Sequence, residues 1–327
     1  MKKNMPLIPP FKVNYVMLSL AETKNYGHDM HNVPQAWLDS RGEGIKVAVV
    51  DTGLPVHRDL ENNIIASANF TDSPIEDLIV GHSSHCTGII AAEENGEGVV
   101  GIAPKASILI AKSLDDSGGG SDESIANGVR WSIQQDANVI SMSLGAAAYA
   151  EPMFPETKKA IQEAYAAGIV IVCASGNENA SKVGVPARFK ECIAVGAVNS
   201  KKQRADFSNK GPELDFAAPG VDVVSTYINN SYCSMSGTSM SCPMVAGIVA
   251  LILSSHKANP NSATPINCPE DVVEHLKKMC IDVGPEGFDK EYGFGIPVFG
   301  HIESIDPKPI KKSIWDQLKE FFLGFFV

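Results

Sequence analysis

The chain has 327 residues, 44% of them hydrophobic and 20% charged, enough apolar material for a sizeable core. A net charge of −11 argues against nucleic acid as a partner and for a soluble body. The odd set of seven cysteines, Cys86, Cys173, Cys192, Cys233, Cys242, Cys268 and Cys280, reads as reduced thiols, and no Cys-x-x-Cys pair marks a zinc site. The chain starts with the basic Met1-Lys2-Lys3-Asn4, but Pro6, Pro9 and Pro10 interrupt the apolar residues after it. Without a long apolar run there, no secretory signal is expected, and the expected compartment is the cytoplasm.

Residues 45–50 are mostly apolar and end in Asp51-Thr52-Gly53, which reads as a buried parallel strand with a carboxylate at its C-terminal edge. Residues 107–111, 139–144, 169–174 and 193–198 read as further strands, with helical patterns at 124–135 and 156–167 between them. This alternation predicts a single α/β domain: a parallel sheet with helices on both faces and its site at the strand C-termini. Gly81-His82-Ser83-Ser84-His85-Cys86-Thr87-Gly88 offers two imidazoles and leads into an apolar run. Ser236-Gly237-Thr238-Ser239-Met240-Ser241-Cys242-Pro243 presents a hydroxyl at a glycine-opened turn before the apolar helix expected over 244–253, whose N-terminus favours developing negative charge. A Gly-Thr-Ser triplet before a helix is more often an ordinary N-cap. What reverses that reading is the chain order of carboxylate, imidazole and hydroxyl, Asp51, His82 and Ser239, the order found in subtilisin.

From about residue 26 to 296 the chain resembles the subtilisin family of serine proteases, through these three blocks together with Ser143-Leu144-Gly145, Ala174-Ser175-Gly176-Asn177-Glu178 and Ala218-Pro219-Gly220. The acidic balance and short leader narrow the likeness to intracellular subtilisins. The resemblance implies that His82 takes the Ser239 proton, Asp51 orients His82, and Asn177 with the Ser239 N–H stabilises the oxyanion. His85 is then structural, and Cys86 occupies a position where bulky thiol reagents would displace His82. Gly118, Gly119 and Gly120 with Ser143, Leu144 and Gly145 are the expected edges that clamp an extended substrate as an added strand. Gly184 is expected to keep the primary pocket open for a large apolar residue before the cut, with Glu178 at its rim. Ser83 and Ser84 stand where the family has Gly-Thr, and Ser236 where it commonly has asparagine.

The same likeness implies structural calcium held by Asp59 and Asn95, with carbonyls of Glu93, Glu97 and Val99 from the same loop and Glu22 as a further ligand. Leu7-Ile8-Pro9-Pro10-Phe11 resembles the Leu-Ile-Pro-Tyr segment with which intracellular subtilisins block their own active site; here Pro10 stands at the tyrosine position. The expected organisation is an inhibitory extension at 1–20, a catalytic domain at 21–300 and an amphipathic tail at 301–327. In the tail, Ile314, Leu318, Phe321 or Phe322, and Phe325 recur at helical spacing. Packing on the body or in a homodimer, membrane-surface attachment, and docking to another protein all fit that pattern. The expected activity is cleavage of unfolded proteins or peptides. Its alternatives are a protease dedicated to one leader or precursor, and a catalytically silent peptide-binding protein on the same fold.

Overall fold

The computed structural model describes residues 7–18, 21–148, 154–259 and 265–301, so the aromatic tail from Ile314 to Phe325 lies outside the described residues. A first strand, β1 (Lys12–Met17), is followed by two short helices, α1 (Tyr26–Met30) and α2 (Val33–Ala36). Runs dense in Val, Ile and Ala then become strands, because branched side chains fit a pleated surface covered on both sides. These are β2 (Lys46–Asp51), β3 (Ile64–Asn69), β4 (Ser107–Lys112), β5 (Val139–Met142), β6 (Val170–Ala174), β7 (Cys192–Val198) and β8 (Phe216–Pro219), joined in one parallel sheet of order β3-β4-β2-β5-β6-β7-β8.

Alternate side chains of each strand serve opposite faces. Val47 and Val49, with Ile108, Ile110, Val170 and Val172, face one apolar layer. Ala48 and Val50, with Leu109, Ile140 and Ile171, face the other. The first layer is filled by α3 (His82–Ala91) and α6 (Thr238–Ala258); the second by α4 (Asp122–Gln134) and α5 (Pro155–Ala166). A reciprocal cap starts α4, the Ser121 side chain accepting the Ser124 N–H while Ser124 Oγ accepts the Ser121 N–H. By length and hydropathy α6 is apolar enough to cross a membrane, yet 89% of its most apolar window is buried in the fold, which makes it a core helix. Each fully buried aliphatic residue there contributes roughly 1.5–3 kcal/mol, so packing fixes this helix.

The strand expected over 139–144 ends at Met142, because residues 143–145 leave the sheet to line a cleft. β3, with every second residue exposed, and β8, only four residues long and ending in Pro219, carry too weak a pattern to be read from sequence. Beyond the large sheet, β9 (Val223–Tyr227) and β10 (Ser231–Ser236) form an antiparallel hairpin that β1 joins in the order β1-β10-β9. A last helix, α7 (Pro269–Lys278), and the pair β11 (Cys280–Ile281) and β12 (Ile296–Pro297) close the described chain. Between β2 and β5 the strand order reverses direction, which opens a crevice at their C-terminal ends.

Candidate active site

Asp51 is the last residue of β2, 1% exposed, and His82 the first residue of α3, fully buried. His82 Nδ1 lies 2.8 Å from Asp51 Oδ1 and 3.0 Å from Oδ2, and the Thr52 N–H also donates to Oδ1 at 2.7 Å. Burial works to lower the His82 pKa, but the adjoining Asp51 carboxylate overrides it and holds the imidazole well above its ordinary value. A second carboxylate ties the two elements together. Asp77 accepts the Gly81 and Ser84 N–H groups and the Ser84 hydroxyl at 2.9 Å each, and the Thr52 hydroxyl at 3.1 Å. Burial, opposed by these donors, pushes the Asp77 carboxyl up. Ser83 is accommodated without loss of the Asp51–His82 contact, its N–H donating to Thr52 Oγ1 at 3.1 Å.

Ser239, second residue of α6, is fully buried. Its hydroxyl is turned to the Ser143 carbonyl at 3.4 Å, while its own carbonyl accepts the Ser143 hydroxyl at 2.9 Å and the Cys86 thiol at 3.4 Å. His82 Nε2 has no hydrogen-bond partner among the described residues. Cys86 Sγ is 3.9 Å from His82 Nδ1. Burial raises the pKa of this thiol, which keeps it neutral. The second imidazole, His85, is pinned by its Nε2 to the Val223 and Cys233 carbonyls, and burial lowers its pKa to about 3.

Asn177 follows Gly176, whose φ of 106° is left-handed and whose missing Cβ would lie 2.2 Å from Asn209 Nδ2. The Asn177 Oδ1 accepts both the N–H and the hydroxyl of Thr238, at 2.9 and 2.8 Å, which leaves Nδ2 facing the cleft. There it donates to the Pro10 carbonyl at 2.8 Å. The chain's own N-terminal segment therefore lies in the cleft. Leu7 exchanges two 2.9 Å main-chain bonds with Gly145, and the Ile8 N–H donates to the Gly118 carbonyl at 3.1 Å, with Leu7 bridging Gly119 on that side. The Phe11 ring packs on His82 with centroids 5.1 Å apart.

The floor beyond these edges is tight. Gly184 donates its N–H to the Ser175 carbonyl at 2.9 Å, and a Cβ on it would meet the Ala146 carbonyl oxygen at 2.9 Å. Leu144 is buried, and Gly120 closes the loop before α4. The Glu178 carboxylate accepts from Asn209 Nδ2 at 2.6 Å.

Two residues near the site escaped the sequence reading. Asp77 precedes the imidazole by five residues, and the signal available was an acid ahead of a helix-opening Gly-His. Lys112, fully buried at the end of β4, donates to the Thr52 carbonyl and to Asp116 Oδ1, the latter at 2.8 Å. A lone lysine ending the apolar run 107–111 was its mark.

The residues read as calcium ligands come together from three segments, with Asp59 and Glu22 packed against the loop of residues 93–99. Asp59 is fully buried with no ion-pair partner among the described residues, and its carboxylate meets Asn95 Nδ2 at 3.4 Å and the Val99 N–H at 3.2 Å. Gly98, at φ 71°, wraps this carboxylate so closely that a Cβ would sit 1.9 Å from Oδ2. Glu22 Oε1 accepts the Gly96 N–H at 2.6 Å. The Glu93 and Glu97 carboxylates turn away, to Asn62 and Arg58. No main-chain N–H among the described residues is donated to the carbonyls of Glu93 or Val99. A buried carboxylate without an ion-pair partner, beside carbonyls that receive no main-chain N–H, fits a hard cation. Among the described residues, the His, Cys, Asp and Glu side chains that converge within 4.8 Å are Asp51, His82 and Cys86, which belong to the cleft.

A carboxylate, an imidazole and a serine hydroxyl near the C-terminal edge of a parallel sheet, with an amide donor beside them, are the groups that a serine hydrolase requires. The profile of the subtilase family matches residues 42–295, and the chain belongs to that family. It is a subtilisin-like serine endopeptidase. It is 40% identical over 263 residues to the intracellular serine protease of Paenibacillus polymyxa, covering 77% of this chain and 79% of that one. To the major intracellular serine protease of Bacillus subtilis (strain 168) it is 39% identical over 258 residues, 75% of this chain and 79% of the other. Subtilisin DY of Bacillus licheniformis is 42% identical over 222 residues, 66% of this chain and 79% of its own.

Proposed function

We propose that this chain hydrolyses peptide bonds with Ser239 as nucleophile, His82 as general base and acid, and Asp51 as the group that orients His82. The observation that carries the reading is a peptide carbonyl, that of Pro10, held by Asn177 Nδ2 in the cleft where His82 and Ser239 meet. In this reading the Ser239 hydroxyl turns from the Ser143 carbonyl to His82 Nε2, which has no hydrogen-bond partner among the described residues. The hydroxyl oxygen then bonds to the substrate carbonyl carbon as His82 takes its proton. Asn177 Nδ2 and the Ser239 N–H receive the negative oxygen, and the α6 N-terminus favours the charge. The C–N bond breaks as His82 returns the proton to the leaving amine, and water repeats the sequence on the acyl-enzyme. Asp51 accepting from Nδ1 supports the imidazolium throughout.

In this reading residues 1–20 are an intramolecular inhibitor, and the register explains why it persists. Counting along the antiparallel pairing from Leu7 opposite Gly145 puts Ile8 opposite Leu144 and Pro9 opposite Ser143, the residue bonded to Ser239. The carbonyl held by Asn177 belongs to Pro10, one residue further on. The segment carries one residue too many across the nucleophile, and Pro9 has no N–H to offer the Ser143 carbonyl, which the Ser239 hydroxyl takes instead. Peptide attack is thus misaligned until the segment is removed. The likeness to subtilisins favours a large apolar residue before the cut.

Calcium fits between Asp59 and the loop that carries Asn95, with the carbonyls of Glu93, Glu97 and Val99 and the carboxylate of Glu22 as further oxygens. Bound there it supplies rigidity, and no step of the reaction passes through it. The relatives named as intracellular proteases, with the reduced-thiol composition, favour the cytoplasm. A dedicated role in processing one precursor stays as the alternative to general peptide turnover; a homodimer or membrane contact through the tail is a separate proposal. Assay of full-length chain and Ser239→Ala on casein and on a peptide with an aromatic residue before the cut tests the central reading. Equal hydrolysis by both would end it.

A further inference from the structure

The half of the N-terminal segment that leaves the catalytic centre is held differently from the half that enters it. Beyond Phe11 the chain does not lift into solvent but runs as β1 antiparallel to β10, pairing Lys12 with Ser236, Val13 with Met235, Tyr15 with Ser234, Val16 with Cys233 and Met17 with Tyr232. β10 runs directly into Gly237-Thr238-Ser239, so this edge starts three residues from the nucleophile. The side chains of β1 contribute little: Val13, Tyr15 and Val16 are each exposed, Tyr15 and Val16 by half. Main-chain pairing holds the strand, which makes the edge tolerant of sequence.

Met17 packs on the cluster of Leu60, Val99 and Tyr232, and one polar side chain adds a specific contact. Asn14 is the extra residue of a bulge between Val13 and Tyr15, and its Nδ2 reaches Asp222 Oδ1 at 2.6 Å, Ser236 Oγ at 3.2 Å and Ser234 Oγ at 3.4 Å. All three partners accept. Asp222 sits at φ 54° with its N–H on Ser236 Oγ at 2.9 Å, and Asn14 is the one side chain on its carboxylate among the described residues. Ser236, where the family commonly has the longer asparagine, leaves room for this contact.

We propose that β10 is a substrate-binding edge for the residues that follow the scissile bond, and that Asp222 with Ser234 and Ser236 takes a hydrogen-bond donor side chain, an amide or a cation, about four residues beyond the cut. The proposal rests on the reading of residues 7–17 as a substrate-like occupant of the cleft. Once that occupant is gone, β10 is an unpaired edge continuous with the active site, and the leaving half of an extended chain adds to it. Acidic residues at the fourth position are rejected by Asp222.

The test uses enzyme from the full chain after self-processing, its N-terminus read by intact mass. Peptides share one sequence before the cut and carry one, two, four or six residues after it, the longest copying Phe11 to Val16. The expected result is a kcat/KM that rises about tenfold between two and six residues, the worth of one or two net hydrogen bonds. Placing Asn14→Asp in the longest peptide abolishes most of that rise, and Asp222→Ala enzyme no longer distinguishes the two peptides while cleaving the two-residue peptide as wild type does. No dependence on length beyond two residues overturns this proposal alone. Full hydrolysis by chain that retains its N-terminal segment overturns the occupant reading as well.

Discussion

The proposed catalytic frame and the segment lying in it are built on opposite principles. Asp51, His82 and Ser239 sit on β2, α3 and α6, elements packed on both sides, and are at most 1% exposed. Residues 7–17 are held by main-chain bonds along two edges, with Leu7 53% and Val16 51% exposed. Packing fixes geometry to fractions of an ångström, whereas edge pairing fixes path and leaves sequence free. In the proposed reading the chemistry is built into the packed fold, and access to it is set by the edge-paired segment.

The most severe way to break the frame is Ser239→Ala, for which hydrolysis falls on the order of a millionfold, the loss that removing the serine or histidine of a subtilisin triad brings. Circular dichroism of the variant stays native. Next, Asn177→Ala lowers kcat about 10²–10³-fold with little change in KM, by analogy with the subtilisin asparagine. An equal loss through KM would assign Asn177 to binding alone. On the segment side, Pro9→Gly restores an N–H opposite Ser143 and hastens self-removal, followed as the time for full-length mass to vanish. An unchanged time course would mean that register does not restrain cleavage.

How much of this contrast was legible from sequence depends on how each part is held. The frame was readable because its apolar runs, 45–50 and 244–253, adjoin chemical residues, Asp51 and Ser239, in a diagnostic order. The seven-stranded order was not readable, since β3 and β8 are short or half exposed. Asp77 hid because an acid before a helix is common, and the Thr52 hydroxyl that links it to the end of β2 reaches it only through the fold. Leu7-Ile8-Pro9 marks a candidate blocking segment in the sequence, but its register in the cleft and its continuation as β1 depend on pairing with Gly145 and Ser236, far away in sequence.

Smaller effects sharpen the comparison by probing what stabilises the frame. His28 and His31 are buried, and desolvation lowers the pKa of each to about 4. The unfolded chain takes up protons near pH 6.5 while the folded chain does not, so their stabilisation is full above 6.5 and is lost as pH falls toward 4. Each contributes roughly 3 kcal/mol across that window. Denaturant midpoints at pH 7 and pH 5 check it, and equal midpoints would contradict it. Chelator or Asp59→Asn lowers Tm by several degrees, as loss of a ligand bound to the folded state requires, and leaves the kcat of surviving enzyme unchanged. A thermal melt indifferent to excess chelator would remove the calcium assignment.

The most direct measurement tracks freshly prepared full-length chain in time, recording intact mass and hydrolysis of an aromatic peptide in the same samples, with Ser239→Ala beside it. The prediction is a lag in which the full-length mass persists and the peptide survives, then hydrolysis rising in step with loss of about the first twenty residues, and neither change in Ser239→Ala. Maximal hydrolysis from the first sample, with the N-terminal segment still attached, would contradict the account.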